Sequence, residues 1–111
     1  MTLFETQVLF ASKVPLLINK AFELGYQVTL GDAFRDPRVH GAFGTKGGYG
    51  HPSSNHKRRL AVDLNLFKDG VFLTTTQDHQ KLGEFWESIG GTWGGRFNDA
   101  NHYSMEFGGI K

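Results

Sequence analysis

Two histidine–carboxylate pairs are the parts of this sequence best suited to chemistry. His56 lies seven residues before Asp63, and Asp99 lies three residues before His102. Two imidazoles and one carboxylate suit a catalytic zinc ion, because they leave a fourth coordination position open for water. With His56, Asp63 and His102 as ligands, Asp99 is left to act as a base that takes a proton when water attacks a carbonyl group.

The elements that carry these residues are predicted to be strands of one sheet. Over residues 60–67 the alternation places Asp63 opposite an apolar face, so its side chain should face a cleft. His102 begins a closing strand predicted over residues 102–107, and His56 precedes the strand of Asp63. Ligands on separate strands of a rigid sheet can converge on a single metal ion.

The first 25 residues are predicted to be helical. Their apolar side chains recur at helical spacing in a main stripe of Phe4, Val8, Ala11, Ile18 and Phe22, widened by Val14, Leu17, Ala21 and Leu24. Because Pro15 is disfavoured inside a helix, a break is expected near Ser12, which can cap a second helix. Gly25 is expected to end that helix.

The remaining elements complete an α+β pattern. They are a strand over residues 27–34, a glycine-rich loop over 36–54, the strand over 60–67, a hairpin turn at 68–70 and a strand over 71–73. A helix follows, with its cap among residues 74–76, its end at 90–91 and a buried side formed by Leu82, Phe85, Trp86 and Ile89. A loop over 93–97 leads to the closing strand. This order predicts a small, mainly antiparallel sheet with helices packed on one side.

The composition restricts the class of protein. A chain of 111 residues is long enough for one domain, residues 1–111, with a single core. The absence of cysteine excludes disulfides and thiolate metal sites, and a net charge of +1 argues against a nucleic-acid partner. No run of about 18 apolar residues is present, so no membrane insertion is expected. The first residues lack the features of a signal peptide, and none is expected.

Several residues have competing interpretations. His51 is an alternative metal ligand, whereas His40 and His79 are expected to lie outside the site. Glu106 is either a partner of a ligand histidine or an edge-strand carboxylate.

Two further groups of side chains have an interpretation with a function and one without. Lys57, Arg58 and Arg59 either steer an acidic substrate or form a solvated turn. Trp93 and Phe97 are expected to pack in the core, with lining of the cleft as the alternative.

The spacing Ser-x-His-(six residues)-Asp, followed by Asp-x-x-His, resembles a known family. It is similar to the D-alanyl-D-alanine carboxypeptidase and L-alanyl-D-glutamate endopeptidase family of zinc peptidases, which includes vancomycin-resistance D,D-peptidases and many bacteriophage endolysins. The similarity extends over residues 30–107 and includes the segments 31–35, 61–64 and 90–95. It implies a fold like that of hedgehog domains and D,D-peptidases.

The resemblance implies a role for each matching residue. It makes His56, Asp63 and His102 the ligands of a Zn²⁺ cofactor and Asp99 the catalytic base. Arg35 matches an arginine that stabilises charge on the scissile carbonyl group, with a plain ion pair as the alternative. Ser54 matches a serine that contacts the substrate or orients the site.

One departure from the carboxypeptidase pattern implies a branch of the family. That branch has Glu-x-x-His with tryptophan directly before the histidine, whereas this chain has Asp99 and Asn101. Aspartate at the base position resembles the phage endopeptidases, which cut between L-alanine and D-glutamate in the peptidoglycan stem peptide. The implied protein is a monomeric endolysin, made in the host cytoplasm and released to the periplasm through a holin. The alternatives are a D-alanyl-D-alanine carboxypeptidase and a non-catalytic zinc-containing binding module.

Overall fold

The computed structural model describes residues 1–111 and contains three α-helices and a five-stranded antiparallel sheet. The helices are α1 (Leu3–Glu23), α2 (Pro37–His40) and α3 (Thr76–Ser88). The strands are β1 (Gln27–Leu30), β2 (Ala61–Lys68), β3 (Val71–Leu73), β4 (Thr92–Trp93) and β5 (His102–Ser104). Two 3₁₀ turns lie at Asn55–Arg58 and Gly94–Phe97. The predicted α+β class with a small antiparallel sheet is confirmed.

Strand β2 is the centre of the sheet. The strand order is β1-β2-β5-β4, and β3 also pairs with β2. Lys68 pairs with Val71, so β2 and β3 are joined by the two-residue turn Asp69-Gly70. Both turn residues have positive φ, 52° and 76°, as a type I′ hairpin turn requires. The predicted hairpin is confirmed.

The core lies between helices α1 and α3 and the apolar face of β2. Its twelve buried residues are Phe10, Leu17, Ala21, Leu60, Val62, Leu64, Leu66, Leu82, Trp86, Trp93, Tyr103 and Met105. Asp63 and Asn65 are only half-buried, because the alternation of β2 directs them to the opposite face. The predicted orientation of Asp63 is therefore correct.

The predicted break in the N-terminal helix is wrong. Helix α1 begins with a capping box between Thr2 and Glu5 and continues through Pro15. Pro15 and Ala11 are both exposed, so the Ala11 carbonyl, which loses its helical partner, lies on the solvent side.

The buried side of α1 also differs from the predicted stripe. Its buried residues are Thr6, Phe10, Leu17 and Ala21, whereas Phe4, Val8 and Phe22 of the predicted stripe are 71%, 54% and 57% exposed. Core contacts on both sides of Pro15 hold the helix in one piece.

Several other elements have boundaries that differ from the predicted ones. Strand β1 ends at Leu30 rather than residue 34, and β5 ends at Ser104 rather than residue 107. The predicted loop over 36–54 contains α2, whose N-cap is Asp36. The predicted loop over 93–97 contains the end of β4 and a 3₁₀ turn.

Helix α3 follows its prediction closely. Thr75 is its N-cap and forms a capping box with Asp78. Leu82 and Trp86 are buried as predicted, whereas Phe85 and Ile89 are half-buried. No helix of this structure combines the length and apolar character needed to cross a membrane.

Candidate active site

The sheet brings Asp63 and His102 side by side. Asp63 lies in β2 and is the direct cross-strand partner of His102, the first residue of β5. Directly opposed residues point to the same face of an antiparallel pair. The two side chains therefore meet on the face of the sheet away from the core.

His56 reaches the same point from the 3₁₀ turn before β2. The Ser54 side chain caps this turn by accepting a hydrogen bond from the His56 backbone N–H at 3.2 Å. Buried Asn55 anchors the turn, because its side-chain amide donates to the carbonyl groups of Met105 and Ile110 at 3.2 and 3.0 Å. The His56 ring is thus held rigidly against the sheet.

One ligand atom from each of His56, Asp63 and His102 lies within 4.8 Å of the other two. Asp63 Oδ1 is 3.1 Å from His56 Nε2 and 3.6 Å from His102 Nδ1. In a tetrahedral zinc site with bonds near 2 Å, neighbouring ligand atoms are about 3.3 Å apart. These three residues can therefore hold a metal ion.

The hydrogen bond of the second His56 nitrogen supports this conclusion. His56 Nδ1 lies 2.8 Å from the Ala33 carbonyl oxygen, which can only accept, so Nδ1 carries the proton. In the neutral ring, Nε2 then directs a lone pair towards the Asp63 carboxylate. Two such electron-rich groups favour a cation between them, and a backbone carbonyl on the other nitrogen is typical of a metal-binding histidine.

Asp63 is an ionised carboxylate in this setting. Its burial raises the pKa, but without a metal the protonated rings of His102 and His56 supply hydrogen bonds and positive charge that outweigh burial and lower the pKa of Asp63 to about 2. The side chain is 18% exposed, so it is largely shielded from competing water.

Asp99 lies next to the cluster without being part of it. Its carboxylate is 54% exposed, and its Oδ2 atom is 3.8 Å from His102 Nδ1. Its backbone N–H donates to the Gly94 carbonyl at 2.8 Å, and a side chain at Gly94 would collide with the Asp99 carbonyl oxygen. The backbone of Asp99 is therefore fixed beside the metal cluster, and its carboxylate is accessible to water.

Arg35 and Ser54 meet at the opposite wall of the site. Arg35 Nη1 donates to Ser54 Oγ at 3.1 Å, and Arg35 Nε donates to Asp32 at 3.2 Å. Tyr49 donates its hydroxyl to the same Asp32 oxygen at 2.6 Å. The Tyr49 hydrogen bond and the Arg35 guanidinium lower the pKa of Asp32, although burial raises it. The ion pair expected as an alternative for Arg35 is present.

The cleft between these walls has a volume of about 330 Å³. It is lined by Arg35, Gly50, His51, Ser53, Ser54, His56, Phe97, Asp99, His102, Ile110 and Lys111. All the predicted site residues except Asp63 therefore line one cleft, and Asp63 contacts two of the lining residues, His56 and His102.

The alternative ligand His51 lies in the cleft but outside the metal cluster. Its Nδ1 accepts a hydrogen bond from the Ser53 N–H at 3.0 Å. His40 and His79 also lie outside the cluster, as predicted. His79 is buried, with its Nδ1 2.7 Å from the Tyr103 hydroxyl, and burial lowers the pKa of His79.

Glu106 does not support a ligand histidine. It is exposed beyond the end of β5 and forms no hydrogen bond or ion pair with another side chain. The buried Nε2 atom of His102 has no hydrogen-bond partner.

Trp93 is a core residue, whereas Phe97 is 45% exposed and lines the cleft.

Lys57 and Arg58 of the basic triplet are half-buried and do not form a solvated turn, whereas Arg59 is exposed. Lys57 Nζ donates to the carbonyl groups of His40 and Thr45 at 2.8 and 2.6 Å. Arg58 donates to the Asn55 side chain, and Arg59 lies over the Phe34 ring. These cations organise the loops around the cleft.

Sequence reasoning missed Asp32 and Tyr49. Neither residue belongs to the histidine–carboxylate spacing, and Tyr49 lies in the glycine-rich segment that has no apolar period. For Tyr49 the only signal was the length of that segment, since long loops inside compact domains are commonly functional. Asp32 lies in the segment 31–35, which the family resemblance includes without giving Asp32 a role.

Comparison with known proteins agrees with this geometry. A family model described as D-alanyl-D-alanine carboxypeptidase matches residues 47–105, which is more than half of the chain and contains His56, Asp63, Asp99 and His102. No curated protein matches the chain at a significant level. By the extent of that match, the chain belongs to the D-alanyl-D-alanine carboxypeptidase family of zinc peptidases.

Proposed function

We propose that this protein is a zinc-dependent peptidoglycan peptidase of the phage endolysin type, which hydrolyses the L-alanyl-D-glutamate amide of the stem peptide. The observation that carries the proposal is the convergence of His56, Asp63 and His102 within 4.8 Å, beside the free carboxylate of Asp99. Membership of a zinc peptidase family supports it.

The three ligands would hold zinc with an open position facing the cleft. Zinc bound there supplies a Lewis acid that lowers the pKa of its water to about 7 and polarises a carbonyl group. Asp63 contributes the negative charge of the site. The Ala33 carbonyl fixes the His56 tautomer that leaves Nε2 free to bind a metal.

Asp99 and Arg35 act on the two sides of the reacting amide. Asp99 accepts the proton of the attacking water and can return it to the leaving amine. Arg35 Nη2 makes no hydrogen bond within the chain, so it can donate to the carbonyl oxygen as negative charge develops there. Ser54 keeps Arg35 at the cleft wall through its 3.1 Å contact.

The identity of Asp99 supports both the proposed bond and the proposed biological role. Aspartate at this position resembles the phage endopeptidase branch, whose members cut between L-alanine and D-glutamate. In this proposal the protein acts as a monomer, is made in the host cytoplasm and reaches the peptidoglycan after a holin opens the inner membrane.

The second candidate is a D-alanyl-D-alanine carboxypeptidase with the same site. The description of the matching family model favours it. The two candidates share every step described above and differ only in which amide enters the cleft.

Mass spectrometry of peptidoglycan digested with the protein tests the proposal. The expected result is new amino termini on D-glutamate, lost with a chelator and restored by added zinc. Loss of a single terminal D-alanine would replace the proposed reaction with the carboxypeptidase one. Intact peptidoglycan in the presence of protein with stoichiometric zinc would refute both reactions and favour a binding module. The Asp69→Asn variant, altered on the distant hairpin turn, is the matched control.

A further inference from the structure

A continuous path of side-chain hydrogen bonds links the glycine-rich segment to the metal site. Tyr49 donates to Asp32 Oδ2 at 2.6 Å, and Arg35 Nε donates to the same oxygen at 3.2 Å. Arg35 Nη1 then donates to Ser54 Oγ, which also accepts the His56 backbone N–H. One carboxylate oxygen of Asp32 thus accepts two hydrogen bonds and connects Tyr49 with Arg35, which lines the cleft.

Arg35 is enclosed by this arrangement. Its side chain is only 11% exposed, and its guanidinium carbon lies 5.1 Å from the centre of the Tyr49 ring. Gly50 packs so closely on Arg35 Nη1 that any side chain at this position would collide with it. The guanidinium is therefore held on three sides, and only Nη2 is left without a partner in the chain.

Asp32 is itself fixed to the strand that carries Asp63. The Asp63 N–H donates to the Asp32 carbonyl at 2.7 Å, and the Gly31 N–H donates to the Asp63 carbonyl at 2.8 Å. The acceptor that orients Arg35 is therefore rigidly related to the metal cluster.

We propose that Tyr49 and Asp32 are positioning residues that hold the Arg35 guanidinium with Nη2 free for the carbonyl oxygen of the substrate. This inference rests on the proposed function of Arg35. Arginine has many rotamers, and fixing two of its nitrogens in advance removes the cost of ordering it when the substrate arrives. Tyr49 is 57% exposed, and its ring packs against the His40 ring and the Arg35 guanidinium, so Tyr49→Phe keeps these ring contacts and removes only the hydroxyl hydrogen bond.

Kinetics of Tyr49→Phe and Asp32→Asn test the proposal. Each variant is expected to lower kcat about tenfold or more, because a charge-assisted hydrogen bond is lost, while KM and zinc affinity stay unchanged. In an Arg35→Ala background, Tyr49→Phe is expected to have no further effect. Tyr26→Phe is the matched control, since its hydroxyl donates to the Asp78 carbonyl, away from the cleft.

Unchanged kcat in both variants would overturn the proposal. So would an equal loss in the Arg35→Ala background, or a parallel loss of zinc affinity, because either result means that the residues do not act through Arg35.

A second measurement does not depend on activity. The Arg35 Nε–H is expected to give an NMR signal with slow exchange in the unaltered protein and at least about tenfold faster exchange in the two variants. In Asp32→Asn the acceptor loses its charge, and in Tyr49→Phe the Asp32 carboxylate loses the hydrogen bond that fixes its position. Unchanged exchange would refute the positioning role. If Arg35→Ala retains full activity while the exchange rates change as expected, the role of Arg35 in the proposed function is wrong and its positioning stands.

Discussion

Replacing Asp99 with asparagine is expected to lower kcat by about 10²–10⁴, because the variant cannot accept a proton from the attacking water. This corresponds to about 3–5 kcal/mol of activation free energy. The amide has nearly the same shape as the carboxylate, so the change removes the base and leaves the cleft in place.

The structure predicts that the loss is confined to turnover. The Asp99 side chain is 54% exposed, and its nearest ionic contact is His102 Nδ1 at 3.8 Å. Substitution of such a side chain changes the free energy of unfolding by about 0.5 kcal/mol or less. Asp99 is not one of the three clustered ligand residues, so the zinc content is expected to stay at one ion per chain.

Three measurements on one preparation check this prediction. They are kcat on a synthetic stem peptide by chromatographic detection of the released amine, zinc content by plasma mass spectrometry, and the thermal unfolding midpoint. Asp69→Asn provides the control for an aspartate-to-asparagine change at an exposed position. A fully zinc-loaded Asp99→Asn enzyme that keeps more than about one-tenth of the original kcat would refute the role of Asp99 as base.

Two further predictions concern the stability of the site. In the metal-free protein, the pKa of Asp63 is about 2 instead of the usual 3.8, so its ionisation contributes about 2 kcal/mol above pH 3.8, which is lost as the pH falls towards 2. Urea unfolding between pH 2 and 5 should show a weaker pH dependence in Asp63→Asn, and an unchanged slope would contradict the assigned interactions. Gly94→Ala should destabilise the protein by about 1–3 kcal/mol, because the new methyl group collides with the Asp99 carbonyl oxygen. Thermal unfolding measures this loss, and an unchanged midpoint would show that the turn adapts.

The sequence determined the features that depend on near neighbours. The alternation from Ala61 to Leu66 placed Asp63 on the cleft face, since side chains on a strand alternate between its faces. Asp69-Gly70 determined the hairpin, because both residues tolerate positive φ. The sequence also predicted the N-cap of α3 to within one residue, because a threonine side chain can accept a hydrogen bond from the first turn of a helix.

The three proposed metal ligands and Asp99 were also identified from residue type and spacing in the sequence, and Arg35 from the family resemblance. The spacing could not show that His51 is excluded, since His51 and His56 lie in the same segment. Only the 3₁₀ turn at Asn55–Arg58, anchored by contacts with Met105 and Ile110, decided which histidine faces Asp63.

The tertiary structure decided everything that depends on distant partners. Helix α1 passes through Pro15 because Phe10 and Leu17 pack in the core on either side of it, and this packing has no local signature. Asp32 and Tyr49 meet although 17 residues separate them. A periodic pattern records which face of an element is buried, whereas contacts between distant segments form only when the whole chain packs, and here those contacts place Arg35 at the cleft.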